Sequence, residues 1–280
     1  MSSIASIFRK LPEFRGKQRL ARLLLRNSIA THRDIIIPGR YDCVYKVPNV
    51  KESIGFELFI NGVYEDDIIR FIASRISPDT LFIDTGANIG AITLPLLKLH
   101  PGLRVICIEA SARVYSYLQW NIDNANTTAC TLVHAAVSDI DGNTVSFFSP
   151  DEKFGKGSMS SVFTKKAEQV PTVRLDTLVA QQGWEGSSFI KVDIEGYEYY
   201  AFSGAQRLLY GENAPDILFE FVDWAENAAA GLKTGAAQQL LLEYGYTLYR
   251  LHDGDLQNMK GTVLTTGYAM IFATKKKMDV

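Results

Sequence analysis

The sequence predicts an α/β fold: a doubly wound, mostly parallel sheet of seven strands, the last of which runs antiparallel. Three observations predict it. First, from Leu81 onward short apolar runs alternate with helix-forming runs: LFIDT, AITLPLLKL, RVICIE, SARVYSYLQWNIDNA, TLVHAAV, FIKVDI, EYYAFSGAQRLL and DILFEF. Alternation of this kind builds a parallel sheet with helices on both faces. Second, residues 81–90, LFIDTGANIG, form a buried-strand run that breaks at a glycine turn and opens a helix. Third, the closing runs YTLYRL (246–251) and YAMIFA (268–273) have no clear helix between them and read as an antiparallel hairpin with a long loop.

Ahead of that alternation, residues 1–50 read as a helical and irregular extension, with the main domain spanning 51–280. Ile4, Ile7, Phe8 and Leu11 fall at helical spacing, as do Leu20, Leu23 and Leu24, with Pro12 and Gly16 dividing the two runs. Arg9, Lys10, Arg15, Lys17, Arg19, Arg22 and Arg26 are balanced only by Glu13. They read as solvated cations on accessory helices, or as a surface for an acidic partner, a nucleic acid or a membrane. Residues 35–60, carrying Pro38, Gly39, Pro48 and Gly55, read as short strands and turns. Asp66 and Asp67 then open the helical run IIRFIASRI, where acids favour the helix dipole.

The bend at 84–90 is the centre of the reading. Strand, glycine turn and helix together aim free backbone N–H groups and a helix dipole at a ligand. A dinucleotide site uses G-x-G-x-x-G, whose middle glycine admits a pyrophosphate. Here the pattern is D-x-G-x-x-x-G, with Asn88 at the middle position. Such a bend suits a smaller, zwitterionic group, and Asp84 supplies a carboxylate for an ammonium. Nineteen residues beyond Gly90, Glu109 ends the next strand, placed to accept two ribose hydroxyls. This combination describes S-adenosylmethionine better than NAD.

FIDTGANIG, VICIEAS and FIKVDIEGYEYYAFSGAQRLL together resemble the FkbM-type family of S-adenosylmethionine-dependent methyltransferases, over about residues 60–225. The resemblance implies a class I, Rossmann-like methyltransferase fold and methyl transfer to oxygen, typically a hydroxyl of a sugar or secondary metabolite. It carries cofactor contacts onto Asp84, Gly86, Asn88 and Gly90, and onto Tyr64 and Glu65 beside the methionine end. Glu109 is expected to hold the ribose, Ala110 and Ser111 to flank the adenine, and Ser138 and Asp139 to read its amino group. Asn121 matches a family asparagine.

Between Asp141 and Asp176 the alternation stops. VSFF and SSVF are strand-like and FGKGSMSS is small and polar, so a β-rich insertion spans about 141–178, with Gly157–Ser161 over the substrate. After the fourth main strand come Val192-Asp193-Ile194-Glu195-Gly196, where amine-directed enzymes place a D/N-P-P-Y/F turn. Two carboxylates at period-two spacing share a face if the strand runs that far, and carboxylates suit a hydroxyl acceptor that must lose a proton. Asp193 is the expected base or orienting acid and cofactor neighbour, with Glu195 in support and Lys191 on the same face. Trp224 reads as packing or as a wall of an acceptor pocket. Asp193, Glu220 and Asp223 lack the adjacent second ligand of a metal-assisted methyltransferase, so no metal is expected.

With 280 residues, 47% of them hydrophobic, the chain can bury one sizeable core, and its net charge of −2 provides no general attraction for nucleic acid. Cys43, Cys107 and Cys130 lack metal or disulfide spacing and suit a reducing, cytoplasmic setting. No apolar run is long enough to span a membrane. The expected partner is a small hydroxylated acceptor, with a homo-oligomer open. The rival readings are an NAD-dependent oxidoreductase, a non-catalytic cofactor-binding scaffold, and an RNA methyltransferase guided by the basic segment.

Overall fold

The computed structural model describes residues 3–12, 14–125, 129–162, 164–229 and 231–278. Glu13, and Phe163 at the end of the SSVF run, lie outside the described residues. Three short helices come first: α1 (Ser3–Lys10), α2 (Lys17–Leu24) and α3 (Arg26–Thr31). A hairpin of β1 (Arg33–Pro38) and β2 (Val44–Asn49) follows, then α4 (Ser53–Asn61) and α5 (Asp66–Ala73). Helix α4 falls where strands and turns were expected. It is apolar almost all round and buried, so it shows no amphipathic period. Its ends are nevertheless marked: the Glu52 carboxylate accepts from Ile54 N–H at 2.7 Å, and Gly62 closes it in the left-handed region.

The main sheet begins with β3 (Leu81–Thr85), α6 (Thr93–Leu99), β4 (Arg104–Glu109), α7 (Ala112–Asp123) and β5 (Cys130–His134). The insertion contributes β6 (Ala136–Val137), β7 (Thr144–Phe147) and β8 (Glu168–Val173), a small sheet in the order β6-β8-β7. Val145 and its neighbours form a strand as expected, but the partner is β8. The described residues of the expected SSVF strand, 160–162, form no strand; ahead of them Ser158 makes an isolated bridge to Phe148. After α8 (Leu175–Gln181) the chain returns through β9 (Ser188–Val192), α9 (Glu198–Ser203), α10 (Gln206–Tyr210), β10 (Asp216–Val222), α11 (Asp223–Ala228) and α12 (Ala236–Glu243). It closes with β11 (Thr247–His252), β12 (Asp255–Asn258) and β13 (Tyr268–Thr274).

These strands order as β12-β11-β13-β10-β9-β3-β4-β5, a doubly wound, Rossmann-like sheet. The five strands from β10 to β5 are parallel, and β13 slots antiparallel between β10 and β11. The sheet has eight strands, not seven, because the closing loop itself folds back as β12 on β11. Asp253-Gly254 makes that turn with φ of 50° and 86°, the conformation an Asp-Gly hairpin turn requires. Side-chain alternation supplies one core per face. Phe82, Cys107, Phe189, Leu218 and Phe272 face the layer of α4–α7, while Ile83, Ile106, Ile190, Phe219 and Ile271 face α8–α12.

Candidate active site

Strand register brings the charged residues of the sheet to one place. In the parallel ladder Asp84 lies opposite Lys191, and Leu218 opposite Lys191 on the other side. Two residues on, Asp193 and Glu220 therefore share the face and edge that Asp84 and Lys191 occupy. The chain leaves β3 toward β4 on one side and reaches β9 and β10 on the other. Between β3 and β9 the winding reverses, which is where open α/β sheets bind ligands beyond their strand ends.

A cavity, partly open to solvent, lies there. One end is lined by Asn88, Ile92, Glu109, Ala110, Val137 and Phe147. The other end is polar, with Tyr64, Glu65, Lys156, Lys191, Asp193, Glu195 and Glu220. Gly155, Gly157 and Met159 of the insertion form part of the wall.

The bend does not work as expected. Gly86 and Ala87 both donate their N–H groups to Ile108 O at 3.0 Å, Asn88 N–H goes to Glu109 Oε2 at 3.0 Å, and Ile89 N–H to the Asn88 side chain at 2.9 Å. The donors are spent inside the protein, so the bend offers a ligand no anion-binding nest. That argues further against a pyrophosphate. Glu109 is fixed from both sides, its other oxygen accepting from Ser111 N–H at 2.8 Å. Burial pushes its carboxyl up to about 7, against the pull of those two backbone donors.

Gly86 is required by close packing. Its φ is +77°, and a Cβ there would stand 2.0 Å from Asp193 O. The bend and the start of the Asp193 turn are thereby pressed together, with Asp193 N–H donating to Thr85 O at 3.0 Å. The turn itself is strained: Glu195 has φ 53°, and Asn88 and Glu65, also in the cavity wall, have φ 52° and 47°. Strand β9 ends at Val192, so Glu195 reaches the cavity through this turn and not by strand alternation.

Lys191 Nζ is buried 3.6 Å from Asp84 Oδ1 and 3.5 Å from Asp193 Oδ2. Burial alone would lower its pKa, but Asp193, Asp84 and Glu65 outweigh that and raise it, so the ammonium is fixed. Around it the acids are pushed upward. Glu65 reaches about 7, through burial and then Asp193. Glu220 reaches about 10 for the same two reasons. Glu195 is raised by burial in spite of Lys156, whose Nζ lies 2.7 Å from its Oε1; its Oε2 is buried with no hydrogen-bond partner among the described residues.

Of the residues expected at the site, Tyr64, Glu65, Gly86, Asn88, Glu109, Ala110, Asp193 and Glu195 line the cavity. Five do not. Asp84 is fully buried, accepts from Thr93 Oγ1 at 2.6 Å and faces Lys191, so it is already partnered by an ammonium of the chain itself. Gly90 packs against Leu118, and its carbonyl accepts from Leu94 N–H at 3.0 Å just ahead of α6. Ser111 precedes α7 and holds Glu109. Ser138 and Asp139 form a turn away from the wall, Ser138 N–H bonding Val173 O and its hydroxyl bonding Asp139. Asn121 is fully buried; it donates to Ile89 O and Lys46 O and accepts from Lys46 N–H, stapling the bend to β2. Trp224 is exposed and outside the cavity. Sequence reasoning missed Lys156 and the Glu52–Ile54 start of α4. Glycines on both sides of Lys156 are the one signal that could have marked it as a cavity loop.

Residues 84–248 match the sequence profile described as the methyltransferase FkbM domain. No curated protein matches the chain. Among solved structures, precorrin-6y C5,15-methyltransferase from Geobacter metallireducens shares 12% identity at TM-score 0.42, over 76% of this chain and 93% of that one. Trm5b from Pyrococcus abyssi shares 11% at TM-score 0.43, over 86% and 56%. TYW2 from M. jannaschii, solved with AdoMet, shares 13% at TM-score 0.39, over 86% and 85%. Likeness at this level says nothing about the acceptor.

Proposed function

The chain belongs to the FkbM family of S-adenosylmethionine-dependent methyltransferases, and on that premise we propose that it methylates a hydroxyl oxygen of a small acceptor, such as a sugar or secondary metabolite. The observation that carries this reading is the position of Asp193. Its carboxylate stands in the cavity wall, about one-third exposed, with Lys191 behind it. The residues present fit the cofactor. Glu109 is buried yet at the wall and can accept the ribose hydroxyls. Ala110, Val137 and Phe147 provide apolar surface for a purine. Glu65, in the polar part of the wall, can meet the ammonium of a zwitterionic tail once it gives up its proton. When bound, S-adenosylmethionine supplies an electrophilic methyl group on a sulfonium.

The chain's own task is alignment and proton removal. Asp193 takes the acceptor's hydroxyl proton as the oxygen is methylated. Lys191, 3.5 Å away, holds that carboxylate in place. Glu220, kept protonated by burial and by Asp193, can donate a hydrogen bond to another acceptor oxygen, so that adjacent carboxyls play different parts. Glu195, held by Lys156, supports the turn that carries Asp193. The spent N–H groups of the bend weigh against a nicotinamide enzyme, and a base at the cavity wall weighs against a scaffold.

The test uses matched acceptors that differ only in carrying a hydroxyl or an amine, with S-adenosylhomocysteine release as the readout. Turnover of the hydroxyl series, cut roughly 100-fold or more by Asp193→Asn, is expected. Turnover confined to the amines, or an undiminished Asp193→Asn rate, would refute it.

A further inference from the structure

The basic N-terminal stretch takes no part in the cavity. Six of the fourteen large apolar side chains exposed among the described residues fall between Ile7 and Leu24: Ile7, Leu11, Phe14, Leu20, Leu23 and Leu24. Leu23 is 72% exposed. On α2, helical geometry sets Leu20, Leu23 and Leu24 within an arc of about 100°. That arc flanks the Lys17, Ala21 and Leu25 stripe, which faces the protein. The cations divide in the same way. Arg9 is turned inward, donating to Phe59 O and Leu58 O, and Arg22 lies 4.0 Å over the Phe56 ring. Lys10, Arg15, Arg19 and Arg26 are exposed in the same stretch of chain as the leucines.

We propose that this face docks on an anionic lipid bilayer, with the leucines and Phe14 entering the headgroup boundary and the exposed cations meeting lipid phosphates. Charge complementarity selects that occupant. Residues 3–26 carry seven cations and one acid, in a chain whose net charge is −2. Juxtaposed leucines and arginines on short helices are the composition of an interfacial surface. Nucleic acid would use the cations but has no place for six exposed apolar side chains, since its backbone contacts are polar. No described helix is long and apolar enough to cross a membrane, so the association would be peripheral. Helix α1 packs on α4, and the first residues of α4 line the cavity.

Co-sedimentation of the full chain with phosphatidylcholine vesicles, with and without phosphatidylglycerol, tests this. Binding at least about tenfold stronger to the anionic vesicles is expected, weakening as salt is raised. The triple variant Leu20→Ser, Leu23→Ser, Leu24→Ser should lose at least about tenfold, and so should Arg15→Gln, Arg19→Gln, Arg26→Gln, with melting temperatures unchanged. If the leucine variant does not fold, the arginine variant and the salt dependence decide. The proposal fails if the wild type ignores anionic vesicles, if it binds both kinds equally, or if duplex RNA displaces it from them. It also fails if sedimentation velocity shows a dimer that the leucine substitutions split, since the face would then cover a second copy of the chain.

Discussion

Replacing Gly86 with alanine should cost both stability and rate, and the size of each follows from the packing. The new Cβ would lie 2.0 Å from Asp193 O and 3.2 Å from Ile194 Cγ2. A carbon–oxygen contact needs more than 3 Å, so the bend and the Asp193 turn must part by over 1 Å. The obstacle is backbone and cannot rotate away. Left-handed φ adds about 1–2 kcal/mol for alanine, and overpacking about 1–3 kcal/mol, so a loss near 3–4 kcal/mol is expected. Displacing Asp193 by about 1 Å should also lower kcat roughly 100-fold. Gly183→Ala is the control: its φ is +57° with nothing within 4 Å of the new Cβ, so it should lose only about 1 kcal/mol and no activity. Urea unfolding and initial rates read both quantities. Equal stability losses in the two variants, or an unchanged rate in Gly86→Ala, would refute the close approach of the bend and the Asp193 turn.

Three further outcomes follow from the same geometry. Glu109→Gln should weaken S-adenosylhomocysteine binding about 10- to 100-fold by calorimetry, because a charge-assisted hydrogen bond is lost and an amide NH₂ must oppose Asn88 or Ser111 N–H. The ligand-free protein should lose stability as pH rises from about 5 to about 8. Glu65 and Glu109 hold their protons up to about 7 when folded but release them near 4.5 when unfolded, so their contribution is complete below 4.5 and is lost as pH passes about 7. Thermal melts of Glu65→Gln should show a shallower pH dependence than the wild type. Lys156→Met should leave Glu195 buried without its cation, speeding proteolysis within residues 150–162 and lowering kcat/KM, while S-adenosylhomocysteine affinity stays within about threefold.

Much of the architecture was legible because alternating apolar runs encode strand order and face. The glycine bend, Glu109 and Asp193 follow from where strands end. What escaped depends on partners that sequence spacing does not reveal. Asp84 looked like a ligand carboxylate, yet parallel register sets it opposite Lys191, and burial makes that pairing compulsory. The bend looked like a source of free donors until Ile108 O and Glu109 consumed them. Helix α4 lacked a polar face and so lacked a period. The additional strand β12 was marked by Asp253-Gly254, a local turn signal overlooked in a long loop. Lys156 reaches the cavity only through the insertion's return path, a long-range contact that local pattern does not encode.

The most direct measurement is a crystal structure of the full chain with S-adenosylhomocysteine bound. The account predicts ribose hydroxyls at hydrogen-bond distance from the Glu109 carboxylate, with the sulfur facing Asp193. A nucleoside seated elsewhere, or one whose sulfur turns away from Asp193, would contradict it.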